Sequence, residues 1–264
     1  MSPQVEVAIR LGTAATLFAA FAFWEWRVPR RRLVAGRSER WFGNLGILAV
    51  DLVAVRLLVP TAAVGMALVA SRNGWGLIPL LHVPFWPAAI LTVIALDLVI
   101  WAQHYVFHHV PVLWRLHSMH HADVDIDVTT GVRFHPLEIL LSLAIKIAAV
   151  AALGAPAGAV VVFEVLLNAT SMFNHSNVAL PVWAEPAARW IVVTPQMHEV
   201  HHSSDRLETD SNFGFNLPWW DRLFGTYRAK PAAGDKVVIG LPVFRDATER
   251  KLLRLLTQPF RPAH

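Results

Sequence analysis

Residues His104 to His121 read H-Y-V-F-H-H-V-P-V-L-W-R-L-H-S-M-H-H, and residues His198 to His202 read H-E-V-H-H. On a helix, positions i, i+3 and i+4 lie on one face. His117, His120 and His121 are therefore expected to aim three imidazoles toward one point, and His198, His201 and His202 another three. His104 and His108 make an i, i+4 pair on the preceding helix. A lone histidine in an apolar helix is usually a hydrogen-bonded core residue. Two copies of H-x-x-H-H beside an H-x-x-x-H need another explanation, and neutral imidazoles grouped this way bind transition metals. Two triads and a pair exceed what one ion takes, so the pattern predicts two metals. His82 and His264 fall outside any pattern.

The sequence around these stretches sets the class. Of 264 residues, 55% are apolar and 16% charged, with a mean hydropathy of +0.45. A soluble domain carries about 25% charged residues. Low charge and long apolar runs predict an all-α integral membrane protein, a bundle of four to five apolar helices. A cytoplasmic helical cap is expected to carry the histidine-rich dimetal site. The chain has no cysteine, which excludes disulfides, iron–sulfur clusters and thiolate zinc sites. Histidine and carboxylate must hold any metal. The net charge of +4 is concentrated in Arg27, Arg30, Arg31, Arg32, Arg37 and Arg40. No aromatic platform accompanies them, so nucleic acid is not an expected partner.

Along the chain, Val5 to Trp26 reads as an anchor helix rather than a removable signal. The arginine-rich loop after it marks the cytoplasmic side. Spans are expected at 44–70 and 84–103, then a hairpin of 137–153 and 157–173 turning at Gly154-Ala155-Pro156. Counting crossings puts every histidine group on the arginine-loop side. Lys146 and Glu164 each lie nine residues from Ala155, so they are expected to pair at equal depth in the hairpin. Asp97 precedes His104 by two turns, as a partner for a ligand histidine or for Arg56. The stretch 122–133, with Asp123, Asp125 and Asp127, reads as a solvated loop. Trp183 to Trp190 reads as an interfacial helix, Thr194-Pro195 as the start of the last histidine helix, and Thr248 to Leu256 as a short amphipathic helix facing the core. A single domain over 1–264 is expected, with anchor and basic loop in 1–40 and the catalytic region in about 80–230.

These residues occur in a telling order. Asp97, His104 and His108 are followed by L-W-x-x-H-x-x-H-H from Leu113 and R-x-H-P-L-E from Arg133. Then come F-x-H-S-N from Phe173, T-P-x-x-H-x-x-H-H-S from Thr194, N-F-G from Asn212 and W-D-R-L-F-G-T-Y from Trp220. Over roughly residues 40–230 the chain resembles the fatty acid hydroxylase superfamily, also called the sterol desaturase family. The resemblance implies a membrane-embedded non-haem di-iron oxygenase, which uses O2 and two electrons to hydroxylate or desaturate a lipid C–H bond. The implied ligands are His104, His108, His117, His120, His121, His175, His198, His201 and His202. His135 is implied to lie near the site, with Asp97, Glu138, Asn174, Asn177 and Asn212 as supporting residues. Trp101, Trp219 and Trp220 would line a substrate pocket. Tyr105 stands where many members have arginine, and Trp101 where tyrosine is common.

The resemblance implies two irons, for which zinc can substitute in purified protein. The chain has neither H-P-G-G nor G-x-G-x-x-G, so a separate reductase or other donor must supply electrons. The expected partners are a lipid substrate, that reductase and the membrane. Composition fits a bacterial inner membrane with the metals on its cytoplasmic side. Two other classes compete. A metal transporter would place its ligands at mid-bilayer. A membrane zinc hydrolase would use about three protein ligands and an open position. Metal analysis separates the three.

Overall fold

The computed structural model describes residues 3–59 and 62–262; His264 lies outside them. Among the described residues thirteen α-helices follow in order: α1 (Pro3–Arg27), α2 (Arg37–Leu58), α3 (Ala62–Asn73), α4 (Leu77–Leu80), α5 (Phe85–His109), α6 (Pro111–His121), α7 (Pro136–Leu153), α8 (Ala157–His175), α9 (Glu185–Ala188), α10 (Pro195–His201), α11 (Arg206–Thr209), α12 (Trp219–Leu223) and α13 (Leu252–Thr257). Among the described residues there is no strand, only two isolated bridges.

Four segments among the described residues are long and apolar enough to cross a membrane: Arg37–Leu80, Phe85–His109, Pro136–Leu153 and Ala157–His175. The protein is an integral membrane helical bundle. Leu57, Leu58, Trp86 and Ile90 are exposed along these segments, as helices surrounded by hydrocarbon require. Inside, α5 packs on α7 and α8, and α3 on the same pair. Leu96, Ile100, Val150, Val160 and Phe163 form the shared core.

The expected span 44–70 is two helices, α2 and α3. A residue before proline is pushed out of the helical region, and Val59, which ends α2, sits at φ −137 and ψ 61. The α7–α8 turn is as expected. Gly154 adopts φ 64, and a Cβ there would fall 2.1 Å from Trp75 O. Across the hairpin, Lys146 Nζ donates to Glu164 Oε1 at 2.8 Å, and Arg10 Nη1 lies 2.9 Å from Glu164 Oε2. Glu164→Gln should cost roughly 1–3 kcal/mol, since two partly buried cations lose their counter-charge. A thermal melt in detergent checks this, and an unchanged midpoint contradicts it.

At one end of the bundle the chain changes direction on prolines. Val110 closes α5 and opens α6, with Pro111 at the first helical position, where its missing N–H costs nothing. The two helices fold against one another there, which brings His104 and His108 opposite His117 to His121. Thr194 caps α10 as expected, its hydroxyl accepting from Met197 N. The Trp183–Trp190 helix is a single turn, α9. The amphipathic segment 248–256 faces the core through Leu255, fully buried against Ile47 and Met119, with Leu253 outside.

The arginine loop packs on this end. Arg31 Nη1 donates to Glu199 Oε1 of α10 at 2.6 Å, and Arg30 pairs with the same carboxylate. The arginine loop and the histidines therefore share one end of the molecule. The stretch 122–133 corrects the sequence expectation: it is buried, not solvated. Asp123, Asp125 and Asp127 are each at most 1% exposed. Arg40 Nε and Nη2 grip Asp123 at 2.6 and 2.7 Å, and Arg40 Nη1 reaches Asp127 at 2.5 Å. Asp125 accepts from the backbone N–H groups of Val34 and Ala35. Burial alone would push Asp123 up, but the Arg40 and Arg133 guanidiniums hold its carboxyl well below the usual range.

Candidate metal centre

Nine histidines gather at this end in two groups, all of them buried. One is His104, His108, His117, His121 and His201; the other is His120, His175, His198 and His202. In each, the nitrogens lie within 4.8 Å of one another. This corrects the expectation that each triad aims at one point. Residues i and i+4 differ by about 40° around a helix, whereas i+3 and i+4 differ by about 100°. With two centres side by side, the i, i+4 pair serves one and the i+3 residue serves its neighbour. So α6 sends His117 and His121 to the first group and His120 to the second. The segment 195–202 does the reverse, with His198 and His202 in the second group and His201 in the first. The groups touch: His121 and His202 stack with centroids 4.5 Å apart.

The outer nitrogens of most of these rings are committed. His104 Nδ1 donates to Phe213 O at 2.7 Å, His201 Nδ1 to Ser211 O at 2.7 Å, His120 Nδ1 to Arg133 O at 3.0 Å and His175 Nδ1 to Ser171 O at 2.7 Å. A carbonyl only accepts, so Nδ1 carries the proton and Nε2 is a bare lone pair. Those lone pairs face each other. His104 and His201 Nε2 are 3.0 Å apart, and His120 and His175 Nε2 are 3.1 Å apart. Burial first, then the neighbouring imidazoles, holds His120 and His201 well below their ordinary pKa, so protons do not bridge the gap. His108 Nε2 and both nitrogens of His202 are buried without partners. Opposed lone pairs and orphaned nitrogens are what a pair of cations would satisfy.

The neutral state has a consequence for metal-stripped protein. His117, pushed down to about 3 by burial, and His121, His198 and His202, also held low by burial, bind protons only when unfolded. Stability is then full above about pH 6.5 and falls below it, by about 1.4 kcal/mol per pH unit for each such histidine. Melts of stripped protein from about pH 7.5 to about pH 5.5 check the slope, and a flat profile contradicts it.

Comparison with known proteins agrees with this geometry. The family described as fatty acid hydroxylase matches residues 89–226, just over half of the chain. The chain belongs to the fatty acid hydroxylase family. An ornithine lipid hydroxylase of Rhizobium tropici is 27% identical over 188 residues, covering 68% of this chain and 54% of that protein. Human alkylglycerol monooxygenase is 30% identical over 141 residues, covering 52% of this chain and 29% of that protein. A very-long-chain aldehyde decarbonylase of Oryza sativa subsp. indica is 27% identical over 163 residues, covering 56% of this chain and 26% of that protein. The chain thus spans about half, or less, of these relatives' lengths. No solved structure matches it.

In this fatty acid hydroxylase family member, the other sequence-derived residues take distinct places. Glu138 accepts from His117 Nδ1 at 2.7 Å. His135 is in neither group: it caps α7, its Nδ1 accepting from Leu137 N, and its Nε2 lies 3.1 Å from Leu256 O. Asp97 touches neither a histidine nor Arg56; it accepts from Asn216 Nδ2 at 2.8 Å, Leu217 N at 3.3 Å and Trp220 Nε1 at 2.9 Å. Asn174 Nδ2 donates to Phe215 O at 3.1 Å. Trp101 Nε1 donates to Asp221 Oδ1 at 3.0 Å, and Asp221 also accepts from Phe213 N and Gly214 N, both at 2.8 Å. These residues clamp the 213–220 segment, whose Phe213 carbonyl orients His104. Asn212, at φ 52, ties Met197 O to Arg228. Asn177 ties the arginine loop through Arg31. Trp219 is half-exposed, its Nε1 donating to Trp190 O at 2.7 Å.

Sequence reading missed Asp210, 3.1 Å from His108 Nδ1, and the carbonyl partners, which carry no side-chain signature. Exchanging Glu138 for Gln should lower metal affinity or activity by about 10–100-fold, the usual effect of losing a carboxylate behind a ligand histidine. Metal retention during dialysis against a chelator checks this, and wild-type retention contradicts it.

Proposed function

We propose that this chain is a membrane-bound oxygenase that hydroxylates or desaturates a C–H bond of a lipid at a pair of irons. The carrying observation is the double imidazole cluster, with outward nitrogens tied to carbonyls and carboxylates and inward lone pairs opposed. His104, His108, His117, His121 and His201 would hold one ion, and His120, His175, His198 and His202 the other. Such a pair, when bound, supplies the capacity to activate O2 with two electrons from an external donor.

The rest is the work of the chain itself. Carbonyls of Phe213, Ser211, Arg133 and Ser171 fix four rings in one tautomer and orientation. Glu138 and Asp210 make His117 and His108 stronger donors. Every ring in both groups is at most 3% exposed, so bulk water is excluded from a site where a reactive oxidant must be kept for substrate. The 213–220 clamp holds Phe213 and Phe215 against His104 at ring distances of 5.6 and 5.0 Å. The names of the relatives, two lipid oxygenases and an aldehyde decarbonylase, support a lipid substrate. The arginine loop beside the histidines supports a cytoplasmic metal site, and the composition fits a bacterial inner membrane. Nine ligand candidates gathered at one end of the bundle disfavour a three-ligand zinc hydrolase and a mid-bilayer transport site.

Lipid profiling of cells with and without the chain, under 18O2, tests the reaction. A lipid bearing one 18O atom supports hydroxylation, and loss of two hydrogens supports desaturation. An unchanged lipid profile, with reductant and iron supplied, contradicts both.

A further inference from the structure

A cavity of about 650 Å³ lies among α6, residues 204–209, residues 241–244 and residues 258–262. None of its lining residues belongs to a candidate span, so it sits in the cap rather than in hydrocarbon. Its size suits a small molecule or one end of a larger one. Val243, Phe244 and Phe260 give it apolar walls, and Arg115, Arg206 and Arg261 add guanidiniums; among the described residues no carboxylate lines it. Arg206 is held by Asp210 and Arg261 by Glu249. Arg115 donates from Nε to Pro259 O at 2.8 Å and has no carboxylate partner among the described residues.

Gln258 gives the cavity its ligand signature. It is 2% exposed, and neither its Nε2 nor its Oε1 has a hydrogen-bond partner. A buried amide with both ends unpaired is costly, and with both atoms shut off from solvent the side chain must turn toward the cavity for a ligand to satisfy it. Phe244 adds a second sign, holding φ 58 in the cavity wall, a left-handed conformation that a bulky residue adopts only under constraint. The cavity also adjoins the metal centre. Trp114 lines it, with its ring 4.8 Å from that of His108 and 5.4 Å from that of His121. Arg206 lies 4.3 Å over the Trp114 ring and donates to His108 O at 2.7 Å. One indole separates the cavity from the five-histidine group.

We infer that this cavity binds the oxyanion-bearing head of an amphiphile, with Arg115 meeting the phosphate or carboxylate and Gln258 meeting the ester, amide or hydroxyl beside it. The inference rests on the lipid-oxygenase reading for its biological sense, since a fixed head sets which carbon reaches the histidines. It stands on the cavity itself for its chemistry. The shared recognition element is an oxyanion, from a lipid head or from free phosphate, and the apolar walls favour the lipid.

Calorimetric titration of the full chain in a nonionic detergent, referenced to protein-free micelles, separates the two sources. Octyl phosphate should bind saturably, and inorganic phosphate should not at the same concentration. Arg115→Gln and Gln258→Leu should each weaken octyl phosphate by about tenfold or more. Gln258→Leu should also melt higher than wild type, because it removes two orphaned polar atoms, so its lost binding is not lost folding. Unchanged affinity in either variant, no saturation, or inorganic phosphate binding as tightly as octyl phosphate overturns the inference. Binding is read without turnover, so a failed iron assay and a failed head site are distinguishable.

Discussion

Replacing His201 by alanine is expected to abolish turnover and to remove one metal ion rather than two. His201 belongs with His104, His108, His117 and His121, although its sequence neighbours His198 and His202 belong to the other group. The decisive comparison uses paired variants. His121→Ala with His201→Ala strips two ligands from one group, so the second ion keeps all four of its histidines. His120→Ala with His121→Ala removes neighbours in sequence but strikes both groups. The first double variant should hold about half the wild-type metal, and the second should hold less of both ions. Turnover should fall at least about a hundredfold in either, beyond the usual effect of losing an outer hydrogen-bond partner. Effects within one group should not add, because its residues act as a unit. Elemental analysis and activity on the same preparations check this. Equal metal loss in the two double variants would contradict the division between the groups.

Arg40→Met is expected to be the most destabilising single change outside the histidines. The guanidinium is fully buried and bonded to Asp123, Asp127 and Thr130. Removing it leaves two buried carboxylates without their cation, which costs about 3–5 kcal/mol. In a chain of this size that lowers the melting midpoint by roughly 10 °C. The network also reaches the site, since Arg133, whose carbonyl accepts from His120, is held by Asn44 and by Met119 O. Metal retention should therefore fall along with stability. Adding Asp123→Asn and Asp127→Asn to Arg40→Met should recover part of the loss, because those two buried carboxyls then carry no charge. A single variant melting with wild type would mean the network is solvated in the working protein.

Which histidines gather was legible from spacing and from family motifs; their division into two groups was not. H-x-x-H-H tells which side chains share a helix face, but how two adjacent centres divide that face depends on the helix packed opposite. Asp123, Asp125 and Asp127 look like a solvated loop because alternating carboxylates usually are. Arg40, the partner of Asp123 and Asp127, lies 83 residues away from Asp123, and a basic loop concealed one half of the network. Lys146 and Glu164 were readable because a hairpin fixes depth by counting from its turn. The role of Asp97 was misjudged for a related reason. Two turns of helix place it on the His104 face, yet Asn216, Leu217 and Trp220 take its hydrogen bonds. The carbonyls that fix the rings carry no residue code at all.

The central claim is that the two imidazole groups form one bimetallic centre. Iron content and X-ray absorption of the purified full chain, expressed with excess iron, test it most directly. The account predicts two irons per chain, one for each histidine group, each in a nitrogen-rich shell. A single metal per chain, or iron without a nitrogen-rich shell, would contradict it.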